Sequence, residues 1–171
     1  MITSDINKCL RGVTSYCGAH PCNSIPDPVS LPAAFLVNTA PLTAADKRSN
    51  EPVISGKHWV VLVLHNSSKA EYFDSFGVPP NQSDIVNYIS THSTTLKFNS
   101  RLLQDPLSSA CGVWCIDYII QRMKLNVPMR KYLSSFPGDP TLSDRLVVDR
   151  VACGLSARQR QLVLSVRNCL N

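Results

Sequence analysis

The arrangement of hydrophobic and polar positions is clearest in the middle of the chain. Residues 57–64 are apolar and include several β-branched side chains, which predicts a buried strand. A polar stretch over residues 65–69 predicts a turn, and residues 70–74 then predict the returning strand of a hairpin. Apolar residues at helical spacing predict a helix over residues 83–91, and one or two short strands follow over 94–104. The central part is therefore expected to be a sheet with a helix inserted between its strands.

The second half of the chain is predicted to be helical. A helix from about residue 110 to 124 carries apolar residues around much of its circumference, which is typical of a helix buried in the centre of a protein. Ser108 or Ser109 is its predicted N-cap. Two further helices are predicted over residues 141–153 and 157–169. The apolar residues of the central helix are Val113, Trp114, Ile116, Ile119, Ile120 and Met123.

The stretch before the hairpin has a different character. Residues 20–52 hold six of the twelve prolines, which predicts an irregular lobe with one short helix or strand around residues 33–39. Helices before, inside and after a mainly antiparallel sheet define the α+β class. We expect residues 1–171 to form a single domain.

Composition narrows the class of protein further. The chain is 44% hydrophobic and 17% charged, which excludes the disordered class, and no apolar run approaches the roughly 18 residues that span a membrane. Its seven cysteines are odd in number and irregularly spaced, and residues 1–8 lack the apolar region of a signal peptide. We therefore expect mainly free thiols in an intracellular, reducing compartment and no membrane partner. The net charge of +5 favours an anionic partner.

Cys111 is the candidate nucleophile. In the first turn of the central helix, the unpaired backbone N–H groups and the helix dipole favour a thiolate. Gly112 follows it and gives a substrate room to approach the backbone. The alternative role of Cys111 is that of a small buried hydrophobe, which is common for cysteine.

His58 and Asp74 are the candidate base and its orienting carboxylate. A hairpin turn centred on Ser67 places Asp74 opposite Val60, with His58 two positions further along on the same face. A carboxylate in this diagonal position accepts the ring N–H of the imidazole and stabilises the imidazolium. A slip of one residue in this register would separate the pair. The alternatives are a solvent-facing histidine and a solvated carboxylate at the strand ends.

Gln104 is the candidate oxyanion donor. It precedes Cys111 by seven residues and lies at the end of a predicted strand. Its amide, together with the backbone N–H of Cys111, is suited to donate to a developing oxyanion. Most glutamines are surface residues, so the prediction depends on the full order His58, Asp74, Gln104, Cys111.

The same residues resemble the adenain family, the adenovirus-type cysteine endopeptidases, and more distantly the SUMO-deconjugating proteases of the same clan. The matching segments cover nearly the whole chain. The block from Gln104 to Gly112, with the upstream His-Trp pair, is the most specific part. The segments are Val37-Asn38-Thr39-Ala40, His58-Trp59, Tyr72-Phe73-Asp74-Ser75-Phe76-Gly77, Gln104, Ser109-Ala110-Cys111-Gly112-Val113-Trp114-Cys115, Pro128-Met129 and Phe136-Pro137-Gly138.

The resemblance implies a fold, an activity and partners. It implies an adenain-like cysteine protease fold, with Cys111 at a helix N-terminus facing the sheet-borne His58, and acyl transfer through a thioester. It implies a viral cysteine endopeptidase that cleaves precursor structural proteins after Gly-x-Gly or Gly-Gly type sites during virion maturation. The expected location is the virion and the host cell nucleus. No cofactor is required for the chemistry, while double-stranded DNA and a viral peptide are the expected activators.

Two features depart from the adenoviral pattern. Adenoviral enzymes usually carry Glu as the third catalytic residue, whereas Asp74 follows the SUMO-deconjugating enzymes. The peptide activator of the family is attached by a disulfide to a cysteine before the glutamine, and residues 90–101 contain no cysteine. The attachment of an activating peptide therefore stays open.

Basic residues dominate the second half of the chain and are the candidate DNA contacts. Such a surface gives salt-sensitive affinity that is independent of sequence. The alternative is a solvated helical face. These residues are Lys124, Arg130, Lys131, Arg145, Arg150, Arg158, Arg160 and Arg167. A zinc site at Cys17, His20 and Cys22 is disfavoured by its spacing and by the lack of a second ligand pair, so no metal is expected.

Three other functions stay open at this point. A deconjugating isopeptidase for a ubiquitin-like protein is favoured by Asp74. An acyltransferase would use the same nucleophile and base. A catalytically inert DNA-binding virion component with the same fold would not need Cys111 at all.

Overall fold

The computed structural model describes residues 3–43 and 58–167. Within these ranges the chain folds into five strands, six α-helices and one π-helical turn. In chain order they are α1 (Thr3–Cys9), β1 (Tyr16–Pro21), β2 (Ala33–Asn38), β3 (Trp59–Asn66), β4 (Lys69–Phe73), α2 (Ser83–His92), β5 (Thr95–Phe98), α3 (Cys111–Ile119), the π-helical turn (Ile120–Lys124), α4 (Met129–Ser134), α5 (Pro140–Gly154) and α6 (Ala157–Arg167).

The five strands form one sheet in the order β1-β2-β3-β4-β5. The two inner pairings, β2 with β3 and β3 with β4, are antiparallel. The two outer pairings, β1 with β2 and β4 with β5, are parallel. The predicted α+β class is confirmed, and the sheet is antiparallel at its centre and parallel at both edges.

The register of the central hairpin fixes which residues leave the sheet together. Val61 pairs with Phe73 and Leu62 pairs with Tyr72, which is the register that a turn centred on Ser67 predicts. The prediction is therefore confirmed from Val61 to Leu64, whereas next to the turn the register shifts by one residue and Asn66 pairs with Lys69. Continuing the same register by one residue places Asp74 opposite Val60. Because His58 directly precedes β3, Asp74 and His58 lie at the same end of the hairpin.

Each face of the sheet packs on its own hydrophobic core. On one face, α2 contributes Ile85 and Ile89 to a cluster with the side chains of β2, β3 and β4. On the other face, α1, α3, α4, α5 and α6 pack on the alternate residues of the same strands. All six residues of β2 are buried, because this strand lies inside the sheet with apolar layers on both sides. The sheet therefore holds α3 firmly from one side, and α3 begins at Cys111.

Several predicted features differ in the structure. The segment around residues 33–39, predicted to be a short helix or strand, is the strand β2, while β1, α1 and α4 were not predicted. No serine side chain caps α3, whose N-cap is Ala110. The predicted central helix ends as a π-helical turn over Ile120–Lys124. The part of the irregular lobe at residues 44–52 lies outside the described residues. Among the helices of the described ranges, none is both long and apolar enough to cross a membrane.

Candidate active site

Cys111 begins α3, as predicted. The carbonyl of Ala110 accepts the backbone N–H groups of Val113 and Trp114, which closes the first helical turn around the thiol. The other eight residues of α3 are buried, while Cys111 is half-buried. The thiol therefore lies at the positive end of a rigid helix and remains accessible to a reactant.

His58 and Asp74 form a direct contact. The Nε2 atom of His58 lies 2.7 Å from Oδ1 of Asp74. Because an ionised carboxylate can only accept, Nε2 carries the proton in this bond. The Phe76 ring stacks on the imidazole with its centroid 4.7 Å away. The imidazole is thus held by a charge at its edge and an aromatic ring on its face.

The protonation of His58 reflects these neighbours. Burial by itself lowers the pKa of His58, because it disfavours the charged imidazolium. Side-chain hydrogen bonds to Asp74 and to Cys111, together with their negative charge, outweigh burial and raise the pKa to about 9. Since Nε2 is engaged by Asp74, Nδ1 is the ring atom left for the Cys111 thiol. The site therefore favours a protonated imidazole beside a sulfur atom.

Asp74 is fixed by three further groups. The backbone N–H of Phe76 donates to the same Oδ1 atom at 2.8 Å. Asn99, which is buried, accepts from the Asp74 backbone N–H at 3.0 Å and donates to its carbonyl at 2.7 Å. The carboxylate therefore has one defined orientation, and it points at His58.

Gln104 lies buried beneath the loop that leads to the nucleophile, with 1% of its surface exposed. Its Nε2 atom donates to the carbonyl of Ser108 at 2.9 Å, three residues before Cys111. Its Oε1 atom accepts from the hydroxyl of Ser75 at 2.7 Å. One hydrogen of the amide nitrogen is used by Ser108, and the second has no hydrogen-bond partner among the described residues.

The loop between Gln104 and Cys111 is anchored from α5. The Asp144 carboxylate, which is fully buried, accepts the indole N–H of Trp114 at 2.6 Å and the backbone N–H of Asp105 at 3.1 Å. The hydroxyl of Thr141 donates to the Asp105 carboxylate at 3.0 Å. One buried carboxylate therefore joins the nucleophile helix to the loop that precedes it.

The structure joins His58 and Asp74 by a hydrogen bond, brings Cys111 close enough to affect the pKa of His58, and places Gln104 under the adjoining loop. A thiol beside an imidazole that is oriented by a carboxylate is the arrangement that nucleophilic catalysis requires. An amide N–H beside the nucleophile is suited to hold an oxyanion. Together these groups equip the site for acyl transfer at a carbonyl.

Three residues that support this arrangement were not singled out from the sequence. Ser75 lies directly after Asp74 within the segment that carries the family resemblance, so that segment was the available signal. Asn99 and Asp144 act across 25 and 30 residues of chain. No local pattern connects such distant positions, so only the fold reveals them.

The predicted DNA contacts have different environments. Arg150 forms an ion pair with buried Asp117 at 3.2 Å, and its guanidinium lies 4.7 Å from the centroid of the Phe136 ring. Arg160 donates from Nε to the carbonyl of Ala152 at 3.0 Å. The side chains of Arg158 and Arg167 lie outside the described residues. Five of the predicted contacts are exposed: Lys124, Arg130, Lys131, Arg145 and Arg160.

In the disfavoured zinc set, the ring of His20 is already engaged by the backbone. His20 uses Nε2 in a hydrogen bond of 2.9 Å to the carbonyl of Cys17. Across residues 3–43 and 58–167, no group of three or more His, Cys, Asp or Glu side chains has the arrangement of a metal site.

Comparison with known proteins gives few matches. No family model matches the chain, and no curated protein matches it. Among solved structures, ChlaDub1 from Chlamydia trachomatis is similar at 15% identity with a TM-score of 0.43, covering 81% of this chain and 61% of that one. A second structure, of the C. trachomatis effector protein ChlaDUB1, has 15% identity and a TM-score of 0.40, covering 98% and 68%. The chain thus spans about three fifths of the length of the first of these structures.

Proposed function

We propose that the protein is a cysteine peptidase that cleaves an amide bond through a thioester at Cys111. The observation that carries the proposal is the contact of 2.7 Å between His58 and Asp74, in a site where the Cys111 thiol lies close enough to His58 to raise its pKa. In the residues around this site, the carboxylate, the imidazole and the thiol follow one another in the order that nucleophilic activation needs.

The acylation step follows from these positions. The Cys111 thiolate, beside the imidazolium of His58, bonds through Sγ to the carbonyl carbon of the scissile amide, and the electron pair of the C=O π bond moves onto the oxygen. The C–N bond then breaks, and the leaving amine takes the proton from Nδ1. Asp74 stabilises the imidazolium while the proton resides there.

Deacylation reverses the roles of the same groups. Water gives a proton to Nδ1 and its oxygen bonds to the thioester carbon, the C–S bond breaks, and Cys111 leaves as the thiolate beside the restored imidazolium of His58. In both steps the carbonyl oxygen becomes an oxyanion. The free N–H of the Gln104 amide and the backbone N–H of Cys111 are the donors we assign to it.

We further propose that the bond cleaved is the isopeptide bond of a conjugated ubiquitin-like protein. Asp74 supports this choice, since the resemblance associates Asp with the deconjugating enzymes and Glu with the adenoviral ones. Maturation of viral precursor proteins is the rival proposal, and it rests on the same matching segments. Both proposals expect glycine on the acyl side of the bond.

Double-stranded DNA stays a proposed partner. Five exposed cationic side chains at Lys124, Arg130, Lys131, Arg145 and Arg160 support it. Activation by DNA or by a viral peptide, and location in the virion and the nucleus, stay predictions of the family resemblance. An activity that rises with DNA and falls as salt increases would support the partner.

The test compares two substrates in reducing buffer. One is a linear peptide panel ending in Leu-x-Gly-Gly or Leu-x-Gly-x-Gly before the scissile bond. The other is a lysine-linked conjugate of a ubiquitin-like protein. Each is measured with and without double-stranded DNA, with Cys111→Ala and His58→Ala as the catalytic controls and Leu142→Ala, exposed on α5, as the matched surface control.

Each outcome assigns a function. Cleavage of the conjugate that is lost in both catalytic variants supports the isopeptidase, and cleavage of the linear panel alone supports the precursor endopeptidase. Cleavage that survives in Cys111→Ala would contradict the peptidase proposal. Transfer of an acyl group from a thioester donor to an amine, without hydrolysis, would favour the acyltransferase instead.

A further inference from the structure

The amide of Gln104 has a defined orientation because both of its ends are bonded. The carbonyl of Ser108 is an acceptor 2.9 Å from the amide nitrogen, and the hydroxyl of Ser75 is a donor 2.7 Å from the amide oxygen. Turning the amide over would bring its oxygen against the Ser108 carbonyl, which repels it. The observed orientation is therefore the one in which both the nitrogen and the oxygen of the amide have a hydrogen-bond partner.

Ser75 makes the contact with Gln104 that a side-chain substitution can remove. It is fully buried, and its own carbonyl accepts the backbone N–H groups of Leu103 and Gln104 at 2.9 and 3.0 Å. Gln104 is thus bound to Ser75 by both its backbone and its side chain. A hydroxyl that donates to the amide oxygen also polarises the amide, which makes its remaining N–H a stronger donor.

Ser75 directly follows Asp74, so one dipeptide touches both halves of the site. Asp74 orients the base by its bond to His58, and Ser75 orients the amide that faces the oxyanion. The Asn99 amide bonds to both the backbone N–H and the backbone carbonyl of Asp74, which fixes the position of the backbone where Ser75 follows. The position of the base and the position of the oxyanion donor are therefore set by the same turn.

We propose that Ser75 is the positioning residue of the oxyanion site, orienting the Gln104 amide so that its free N–H faces the reacting carbonyl. This inference rests on the proposed function, because it assigns a task to Ser75 in the same acyl transfer. Ser75 itself touches no reacting atom, and its effect passes entirely through Gln104.

The first test measures acylation of Cys111 by 4-nitrophenyl acetate, an activated ester that needs no sequence recognition. Ser75→Ala is expected to slow the Cys111-dependent burst about tenfold, less than the roughly hundredfold loss expected for Gln104→Ala. In the Gln104→Ala background, Ser75→Ala should change the rate by no more than about twofold, because the amide through which Ser75 acts is absent. Ser75→Thr, which keeps the hydroxyl, should restore the burst.

Ser143→Ala is the matched control. Ser143 is also fully buried, and its hydroxyl bonds to the carbonyl of Asp139 at 2.8 Å, away from Gln104. This variant should leave the burst unchanged. If Ser75→Ala slows acylation equally with and without Gln104, or not at all, the inference is overturned.

A second readout is independent of catalysis. In isotope-labelled protein, the side-chain amide resonances of Gln104 should shift and exchange faster with solvent in Ser75→Ala, but not in Ser143→Ala. Unchanged Gln104 resonances in a folded Ser75→Ala protein would overturn the inference even if the enzyme is active. Shifted resonances in a protein whose Cys111 is never acylated would keep the orientation by Ser75 and refute the peptidase instead.

Discussion

At the residue scale, the charge of the Asp74 carboxylate affects the pKa of His58 and therefore the pH dependence of the site. Its bond to His58 is one of the contributions that raise the pKa of the imidazole to about 9. Because this pKa lies above the ordinary value of 6.5, the imidazolium adds stability that is fully present below about pH 6.5. That contribution is lost as the pH rises through about 9, together with the proton that the leaving amine needs.

Replacement of Asp74 by Asn should therefore change both rate and pH profile. The amide keeps the shape of the side chain and removes its charge, so we expect kcat/KM to fall by on the order of 10²–10⁴. In the wild-type enzyme kcat/KM should decline as the pH passes about 9, and in Asp74→Asn this decline should move to lower pH. A pH–rate profile measures both effects, and an unmoved upper limb would show that Asp74 does not hold the imidazolium.

Gly77 closes the turn that carries Asp74 and Ser75. Its φ of +71° lies in the left-handed region, and a Cβ there would come within 2.7 Å of the Arg101 backbone. Gly77→Ala should thus lower the free energy of unfolding by about 1–3 kcal/mol, as measured by chemical denaturation.

Two other glycines separate the causes of that loss. Gly12 has a φ of +95° with open space around it, so Gly12→Ala should show the backbone strain alone. Gly154→Ala has neither positive φ nor a nearby atom and should be nearly neutral or stabilising. Equal losses in Gly77→Ala and Gly154→Ala would contradict the close approach to Arg101.

At the scale of elements, β4 and the π-helical turn are joined by a buried ion pair. Arg122 donates from Nε to the Glu71 carboxylate at 2.7 Å, and the Tyr118 hydroxyl donates to it at 3.1 Å. Burial by itself raises the pKa of Glu71, but the hydrogen bonds of His65 and Arg122 and the charge of Arg122 outweigh it and lower the pKa to about 2. The folded state therefore favours the ionised carboxylate.

Glu71→Gln should destabilise the protein by about 2–3 kcal/mol at pH 7, because Arg122 loses its charged partner in a mostly buried place. The lowered pKa means that this stabilisation is fully present above about pH 4.5 and is lost as the pH falls through about 2. Urea denaturation at several pH values should show the wild type and variant converging in acid.

The exposed pair of Lys8 and Asp5, with atoms 3.9 Å apart, provides a contrast. Lys8→Gln should change stability by no more than about 0.5 kcal/mol. A difference between wild type and Glu71→Gln that stayed constant down to pH 2 would show that its origin is not the charge.

The elements differ in how far the sequence determines them. The hairpin register followed from the positions of apolar residues and one turn, because a slip would expose a whole buried face. The strand β1 has no such pattern, since Gly18 and Pro21 interrupt it and pairing with β2 alone makes it a strand. The predicted cap of α3 was wrong because the N-cap is Ala110, and the Ser108 hydroxyl accepts the N–H of Ala110 at 3.4 Å rather than an N–H of the first helical turn.

The residues of the candidate site also differ in how far the sequence determines their positions. Cys111, His58 and Asp74 were accessible from the sequence because helix start, strand end and hairpin register place them. Ser75 and Asn99 were not, because their partners are fixed only when distant loops meet in the fold.

At the scale of the whole molecule, the sheet separates two cores that carry different tasks. Leu62 on β3 is fully buried in the core shared with α2, on the face away from α3. Leu62→Ala should lower the free energy of unfolding by roughly 2–5 kcal/mol through lost burial and a cavity. At temperatures where it remains folded, its kcat should be unchanged.

Thermal unfolding and steady-state kinetics measured on one preparation would check this. Leu142→Ala, about half exposed on α5, should change stability by no more than about 0.5 kcal/mol. A loss of kcat in folded Leu62→Ala would mean that the two faces of the sheet are coupled more tightly than their separate cores indicate.

The central claim is that His58 activates Cys111, and the most direct test is the rate at which each cysteine reacts with iodoacetamide at pH 6, followed by mass spectrometry. The exposed thiols of Cys17 and Cys153 are internal references, because ordinary thiols are almost entirely protonated at this pH and partial burial raises the pKa of Cys17 further. Cys111 should react more than about tenfold faster than both, and His58→Ala should reduce it to their rate. A Cys111 that reacts no faster than the references, or whose rate does not depend on His58, would contradict the account.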